Sequence, residues 1–166
     1  CCMKKNTLLI LLLLYSVNIF SQAIVVDHLQ CEHKTAPLAI NTIAPQFGWQ
    51  LQSPQRNVLQ MAYRILVSDK MELLQKNIGN IWDSKKTSSN NSIQVIFKGK
   101  KMKAATKYVW KVQVWDNKNT NSWSEPASFS TGLFTPADWS NAKWIGYEEL
   151  PDSLITVPGV HSPDIK

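Results

Sequence analysis

Cysteine is nearly absent from this chain once its first 23 residues are set aside: Cys31 alone remains there, so no internal disulfide can staple the fold. Long apolar runs are missing as well. The best of them, Leu8 to Leu14, has seven residues, or thirteen if extended loosely to Phe20, short of the roughly 20 that cross a bilayer as a helix. Charge is also weak. The whole chain carries +6; residues 1–23 hold Lys4 and Lys5 but no acid, so sixteen bases against twelve acids leave +4 beyond them. The lysines are scattered apart from Lys98, Lys100, Lys101 and Lys103, and no Arg-rich helix or Gly-aromatic RNA-binding motif joins them. That cluster reads as a solvated turn, and no nucleic-acid partner is expected. Phosphate loop, dinucleotide fingerprint and Ser-centred nucleophile elbow are all lacking, which removes the footing for common kinase, dehydrogenase and serine-hydrolase chemistry.

What stands at the beginning has the layout of a signal peptide: Lys4 and Lys5, then the apolar run, then small residues at Ser21 and Ala23, either of which suits cleavage. Cys1 and Cys2 precede Met3, the expected start, and carry no chemical weight. Residues 1–23 are thus expected to form a signal-peptide helix. The chain is expected to be exported to periplasm, cell surface or medium, with no retained membrane span; a retained anchor is the lesser reading. Asp27 to Gln30 do not supply the small residues that a lipid-anchored cysteine needs in front of it, so Cys31 reads as a small buried hydrophobe.

From Ile24 onward apolar residues recur mostly at every second position, the period of a strand with one face buried. Val25 to Cys31 forms a first strand of low amphipathicity. Phe47, Trp49 and Leu51 share a face, as do Tyr63, Ile65 and Val67 within Gln60 to Ser68. Asp69 is placed to cap a short helix in which Met71 and Leu74 face the same way. Ile81 to Asp83 reads as a brief edge strand, Ser84 to Ser92 as a loop, and Ile93 to Phe97 as resumed β structure. The clearest strand is Lys107 to Asp116, with Tyr108, Trp110, Val112 and Val114 on one side. Asn117 to Asn121 forms a polar turn and Glu125 to Thr131 a last strand. About seven short strands with turns every eight to twelve residues describe an all-β sandwich over residues 24–134.

Neither acid pairs nor histidines suggest a reaction centre or a metal site. Glu148 and Glu149 lie in a polar, proline-flanked segment and read as solvated acids; Asp116 ends a strand where Asp bonds its own backbone. His28, His33 and His161 give no spacing that puts two ligands on one face with a third nearby, so neither metal nor cofactor is expected. Tryptophan is the abundant residue. Trp49 and Trp110 fall in phase with core positions. Trp82, Trp115 and Trp123 are left as candidates for stacking on a sugar ring, and Trp115 and Trp123 are the two carried forward as ligand-stacking residues.

Met102 to Tyr108 (MKAATKY) resembles the turn leading into a strand of fibronectin type III domains, with Met102 and Ala104 where Leu and Pro are usual. The resemblance implies a tyrosine corner, in which the Tyr108 hydroxyl bonds back to nearby backbone; Trp49 stands where such domains carry the tryptophan of their second strand. A wider resemblance runs through Leu29 to His33, Pro45 to Leu51 (PQFGWQL), Ala62 to Ser68 (AYRILVS), Ile81 to Ser84 (IWDS), Tyr108 to Asp116 (YVWKVQVWD), Trp123 to Phe129 (WSEPASF), Ala137 to Trp139 and Lys143 to Gly146 (KWIG). In that order these segments resemble the N-terminal region of bacterial α-L-rhamnosidases of glycoside hydrolase family 78. The resemblance implies a fibronectin type III or immunoglobulin-like accessory sandwich, with residues 135–166 a linker and the opening of a second β domain. It also implies that Trp139 and Trp144 pack against that domain, and that the catalytic barrel and its carboxylates lie further on. Three functions follow as alternatives: a non-catalytic accessory domain of an exported rhamnosidase whose partners are the later domains of the same enzyme, a free-standing carbohydrate- or protein-binding module that takes a rhamnose-containing glycan, or a truncated gene product without activity of its own.

Overall fold

Strict alternation over ten residues builds the centre of the protein. In the computed structural model, which describes residues 24–143, β7 (Lys107–Asp116) buries Tyr108, Trp110, Val112 and Val114 and turns Val109, Lys111, Gln113 and Trp115 outward. It pairs antiparallel with β3 (Gln60–Ser68), from Gln60 opposite Asp116 to Ser68 opposite Val109, so Ile65 and Val67 join the buried face. On one side of β3 lie β4 (Trp82–Asp83) and β5 (Thr87–Ser88); on the far side of β7 lie β8 (Asn121–Trp123) and β9 (Ala127–Ser130). The opposing sheet has the order β1 (Val25–Cys31), β2 (Gln46–Gln52), β6 (Val95–Ile96). The chain crosses between sheets after β2, β5 and β6, which makes a two-layer immunoglobulin-like sandwich. The described residues divide into two compact units between Phe134 and Thr135, and the sandwich belongs to the first.

Phe47 of β2 sits at the middle of the core, its ring 4.5 Å from Trp110, 5.8 Å from Phe129, 6.0 Å from Trp82 and 6.5 Å from Phe97. Truncating such a residue to Ala costs about 3–5 kcal/mol. The tyrosine corner is present: the Tyr108 hydroxyl accepts a hydrogen bond from Lys103 N at 2.8 Å while its ring stacks on Phe129. Thr131 ties the same turn from the other side, accepting from Thr106 N at 3.0 Å and donating to the Lys103 carbonyl at 2.7 Å. A second buried polar link joins Trp49 to the loop after β5. Trp49 Nε1 donates to Gln60 Oε1 at 3.0 Å, and Gln60 Nε2 donates to the carbonyls of Ser89 (3.1 Å) and Asn91 (2.8 Å).

Several expectations need correction. The first strand is more amphipathic than its spacing suggests. A bulge between Asp27 and Gln30, with His28 at φ 47°, shifts the phase by one residue, so that Val26, Leu29 and Cys31 all face inward. Cys31 is 1% exposed and its thiol is pushed up to about 12 by burial, reinforced by Glu32. Asp69 does not cap α1 (Met71–Gln75): the cap is Lys70 with no side-chain bond, and Asp69 instead accepts from Asn80 Nδ2. Leu74 is fully buried but Met71 stands exposed. The stretch Ser84 to Ser92 contains β5, paired with Ala62 and Tyr63. β6 shrinks to two residues. The last strand is present but shortened to β9 (Ala127–Ser130), and an unexpected strand, β8 (Asn121–Trp123), precedes it; between the two, the Ser124 hydroxyl accepts a hydrogen bond from Val112 N and Pro126 has no N–H to offer. The expected signal-peptide helix lies outside the described residues.

Candidate functional site

The outer face of the larger sheet carries the two tryptophans singled out by sequence. Alternation on β7 turns Trp115 outward, and pairing places Asn121 opposite it and Trp123 opposite Gln113. Both rings are partly exposed, and each has an ammonium over it: Lys86 Nζ lies 4.7 Å from the Trp115 centroid and Lys111 Nζ 4.5 Å from that of Trp123. Lys111 is 9% exposed, donates to Asn77 Oδ1 at 2.6 Å, and has its ammonium pKa lowered by burial and by Arg64. Trp115 and Trp123 therefore belong to a mixed cationic and aromatic surface on which a lysine already occupies one face of each ring. Trp82, the third tryptophan, turns the other way and packs its ring 5.3 Å from Phe97 and 6.0 Å from Phe47.

Arg64 and Asp83 form a bidentate pair on the same outer face, Nε to Oδ1 at 2.9 Å and a guanidinium NH2 to Oδ2 at 2.8 Å, and Lys85 adds a third contact at 2.7 Å. The hydrogen bonds from Arg64, helped by those of Lys85, outweigh burial and hold the Asp83 carboxyl well below the usual carboxylate range. Asp116 is buried, which by itself would raise its pKa, yet bonds from Thr120 Oγ1, Thr120 N and Lys118 N lower it and tie the β7–β8 turn. Glu32 accepts from Gln46 N at 2.7 Å, and Asp27 from Gln52 Nε2 at 2.7 Å. The acid of a glycosidase pair needs a raised pKa and a second carboxylate across the sugar. Asp83 and Asp116 are shifted the opposite way and hold structure.

Along one side of the sandwich a slot of about 410 Å³ opens between β4 and β5 of one sheet and β6 of the other. Tyr63, Trp82 and Thr87 line it although all three point to the inner face. Asp83, Ser84, Asn91, Gln94, Val95, Ile96 and Lys98 complete its walls. Gly99 permits the close crossing of the lysine-rich turn over β4, since a Cβ there would stand 2.6 Å from the Ile81 carbonyl oxygen and from Trp82 Cβ. Sequence gave no warning of this slot: Tyr63 reads as a core position by phase, and nothing in the run Ser84 to Phe97 says which residues return beside it.

Among the described residues no three His, Cys, Asp or Glu side chains come close enough to hold a metal, and no helix is long and apolar enough to cross a membrane. In the second unit Trp139 ends a short 3-10 turn (Pro136–Trp139) and is 50% exposed; Asp138 there accepts from Thr135 N at 2.7 Å. Trp144, Glu148, Glu149 and His161 lie outside the described residues.

A family model described as "Rha78A-like, N-terminal immunoglobulin domain" matches residues 26–135. An alpha-L-rhamnosidase of Formosa agariphila is 39% identical to this chain over 86% of its length, and the match takes in 16% of that protein. Among solved structures, the alpha-L-rhamnosidase of Dictyoglumus thermophilum superposes with a TM-score of 0.71 at 35% identity, over 75% of this chain and 14% of that one. The Streptomyces avermitilis alpha-L-rhamnosidase, complexed with L-rhamnose, superposes with a TM-score of 0.67 at 31% identity, over 71% of this chain and 11% of that one. The chain thus spans less than a fifth of the length of these relatives.

Proposed function

This chain belongs to the family of Rha78A-like N-terminal immunoglobulin domains, and from that membership we propose that it is the non-catalytic accessory sandwich of an exported α-L-rhamnosidase of glycoside hydrolase family 78. The parent enzyme removes terminal α-linked L-rhamnose from glycans or glycosides with its catalytic residues elsewhere. One observation carries the reading: residues 26–135 match the N-terminal domain model, while relatives named alpha-L-rhamnosidase are matched over no more than 16% of their length. The chemistry agrees, because among the described residues the two acids whose pKa values shift, Asp83 and Asp116, are held ionised by their neighbours rather than kept protonated for proton transfer.

In this reading the sandwich works by packing. A rigid two-layer domain offers later domains a fixed surface, and Trp139 and Trp144 bury themselves against the next one. Export rests on the charged and apolar pattern of residues 4–23. A second reading, a free-standing carbohydrate- or protein-binding module, is favoured by the outward rings of Trp115 and Trp123; it predicts that a folded Trp115→Ala/Trp123→Ala variant is released from a rhamnose-rich polysaccharide that retains the parent.

Hydrolysis of a chromogenic α-L-rhamnoside by the purified chain, run beside the product of the reading frame extended past Lys166, tests the proposal. Activity confined to the longer product is the expected result. Turnover by the chain alone would overturn the non-catalytic assignment, and inactivity of both would favour the binding module.

A further inference from the structure

The slot beside β6 departs from the rest of the sandwich in a way that packing does not require. On the inner face Ile65, Val67, Val112 and Val114 are fully buried, whereas Tyr63, Trp82 and Thr87, on that same face, remain partly exposed because β5 and β6 belong to different sheets and do not close over them. The opening leaves unused hydrogen-bonding groups around a single space. Tyr63, Asn91, Gln94 and Lys98 all line it, Tyr63 partly buried and the other three exposed, and neither the hydroxyl, the two carboxamides nor the ammonium makes a hydrogen bond or ion pair to another described residue.

We propose that this slot is a saccharide-binding site that takes a neutral pyranose unit of a glycan. Its volume falls within the roughly 300–1,000 Å³ of small-molecule sites. Each carboxamide both donates and accepts, and the Tyr63 hydroxyl does the same, which matches the paired donor and acceptor character of sugar hydroxyls. Burial raises the Tyr63 pKa and so keeps its proton in place. Trp82 supplies an apolar wall, held by Phe47 and Phe97 behind it.

Charge argues against other ligands. Asp83 already satisfies Arg64 and Lys85, leaving Lys98 as the one cation lining the slot, too little for a phosphate and unfavourable for a cation. An added peptide strand would find only the two-residue edges of β5 and β6.

The backbone along one wall is fixed in advance. Gln60 Nε2 holds the Asn91 carbonyl at 2.8 Å, Asn91 N donates to Ser89 Oγ at 3.0 Å, and Trp49 N donates to the Ser92 carbonyl at 2.9 Å. The Asn91 backbone is thereby anchored through Gln60 to the core tryptophan, while the exposed side chains of Asn91, Gln94 and Lys98 are left for a ligand to order. The site does not depend on the accessory-domain reading; only the choice of a rhamnoside as first probe does.

The test is a two-dimensional ¹H–¹⁵N NMR titration of the full chain with a rhamnose-containing oligosaccharide, and in parallel with gluco- and galacto-oligosaccharides. Saturable shifts of the Trp82 indole N–H and of the amides from Asn91 to Lys98 are expected for at least one of them. Tyr63→Phe and Asn91→Ala, each removing one polar group and little packing, should weaken binding by about 3- to 10-fold apiece, the worth of one hydrogen bond. No shift with any saccharide overturns the proposal. So does binding that survives the Tyr63→Phe/Asn91→Ala pair unchanged, or that moves the Trp115 and Trp123 signals instead. Rhamnoside hydrolysis by the longer product is scored separately, so failure of this site leaves the assignment of the parent enzyme intact.

Discussion

Tyr108→Phe isolates one oxygen atom. The phenyl ring keeps its place against Phe129 in the core, and only the acceptor of the Lys103 N–H is lost. That bond is 2.8 Å long and part-buried, so removal forfeits its net worth and leaves a donor that water reaches imperfectly. A cost of about 1–2 kcal/mol follows, or roughly 4–8 °C in Tm at about 4 °C per kcal/mol for a domain of this size. Thr131→Val removes the other tie on the same turn, stranding Thr106 N and the Lys103 carbonyl, for about 2 kcal/mol. Because both residues restrain Lys103, one on its N–H and one on its carbonyl, loss of either frees the turn and lowers the worth of the other. The double variant should therefore cost at least about 0.5 kcal/mol less than the two single changes together. Urea unfolding followed by tryptophan fluorescence measures all three. A Tyr108→Phe cost under about 0.3 kcal/mol, or strict additivity, would refute the view that the corner and Thr131 act as one clamp.

Gln60→Leu keeps the volume of the side chain but leaves Trp49 Nε1 and the carbonyls of Ser89 and Asn91 without their partner; we expect a loss of about 2–4 kcal/mol and faster amide exchange across residues 87–92, and a cost under about 1 kcal/mol would show that the link holds little. Acid should unfold the protein partly through Asp83 and Asp116. Both carboxyls are lowered in the folded state, so the stability they add is complete above the ordinary carboxylate range near pH 4 and is lost as pH falls below it. Asp83→Asn should flatten the fall of the urea midpoint between about pH 4 and 2, whereas an acid limb as steep as the parent's would mean that this ion pair is not responsible.

Much of the fold was legible because its signals are local. The alternation in Lys107 to Asp116 names both the strand and its buried face, and the spacing of Phe47 and Trp49 does the same for β2; a side chain's phase along a strand needs no knowledge of the partner strand. The tyrosine corner was legible only through the resemblance of Met102 to Tyr108 to fibronectin type III domains; the structure identifies its partner as Lys103 N. Errors arose where a distant group won. Asp69 has the chemistry of a cap, but Asn80 sits close enough to take its carboxylate. Asn121 to Trp123 went unread as a strand because its partner is β7, where Asn121 lies opposite Trp115 and Trp123 opposite Gln113. The phase of β1 breaks because His28 adopts a left-handed backbone that no spacing rule announces.

The amino-acid order by itself thus determined an all-β chain, its main core faces, and a kinship carried by short segments in series. Tertiary structure decided everything that depends on which strands stop short of meeting. β5 and β6 are two residues each and lie in different sheets, so inward-pointing Tyr63 and Trp82 meet solvent and gather Asn91, Gln94 and Lys98 around a slot. The same strand phase that buries Ile65 leaves Tyr63 partly open, because burial is a property of what lies across the interface and periodicity reports only direction.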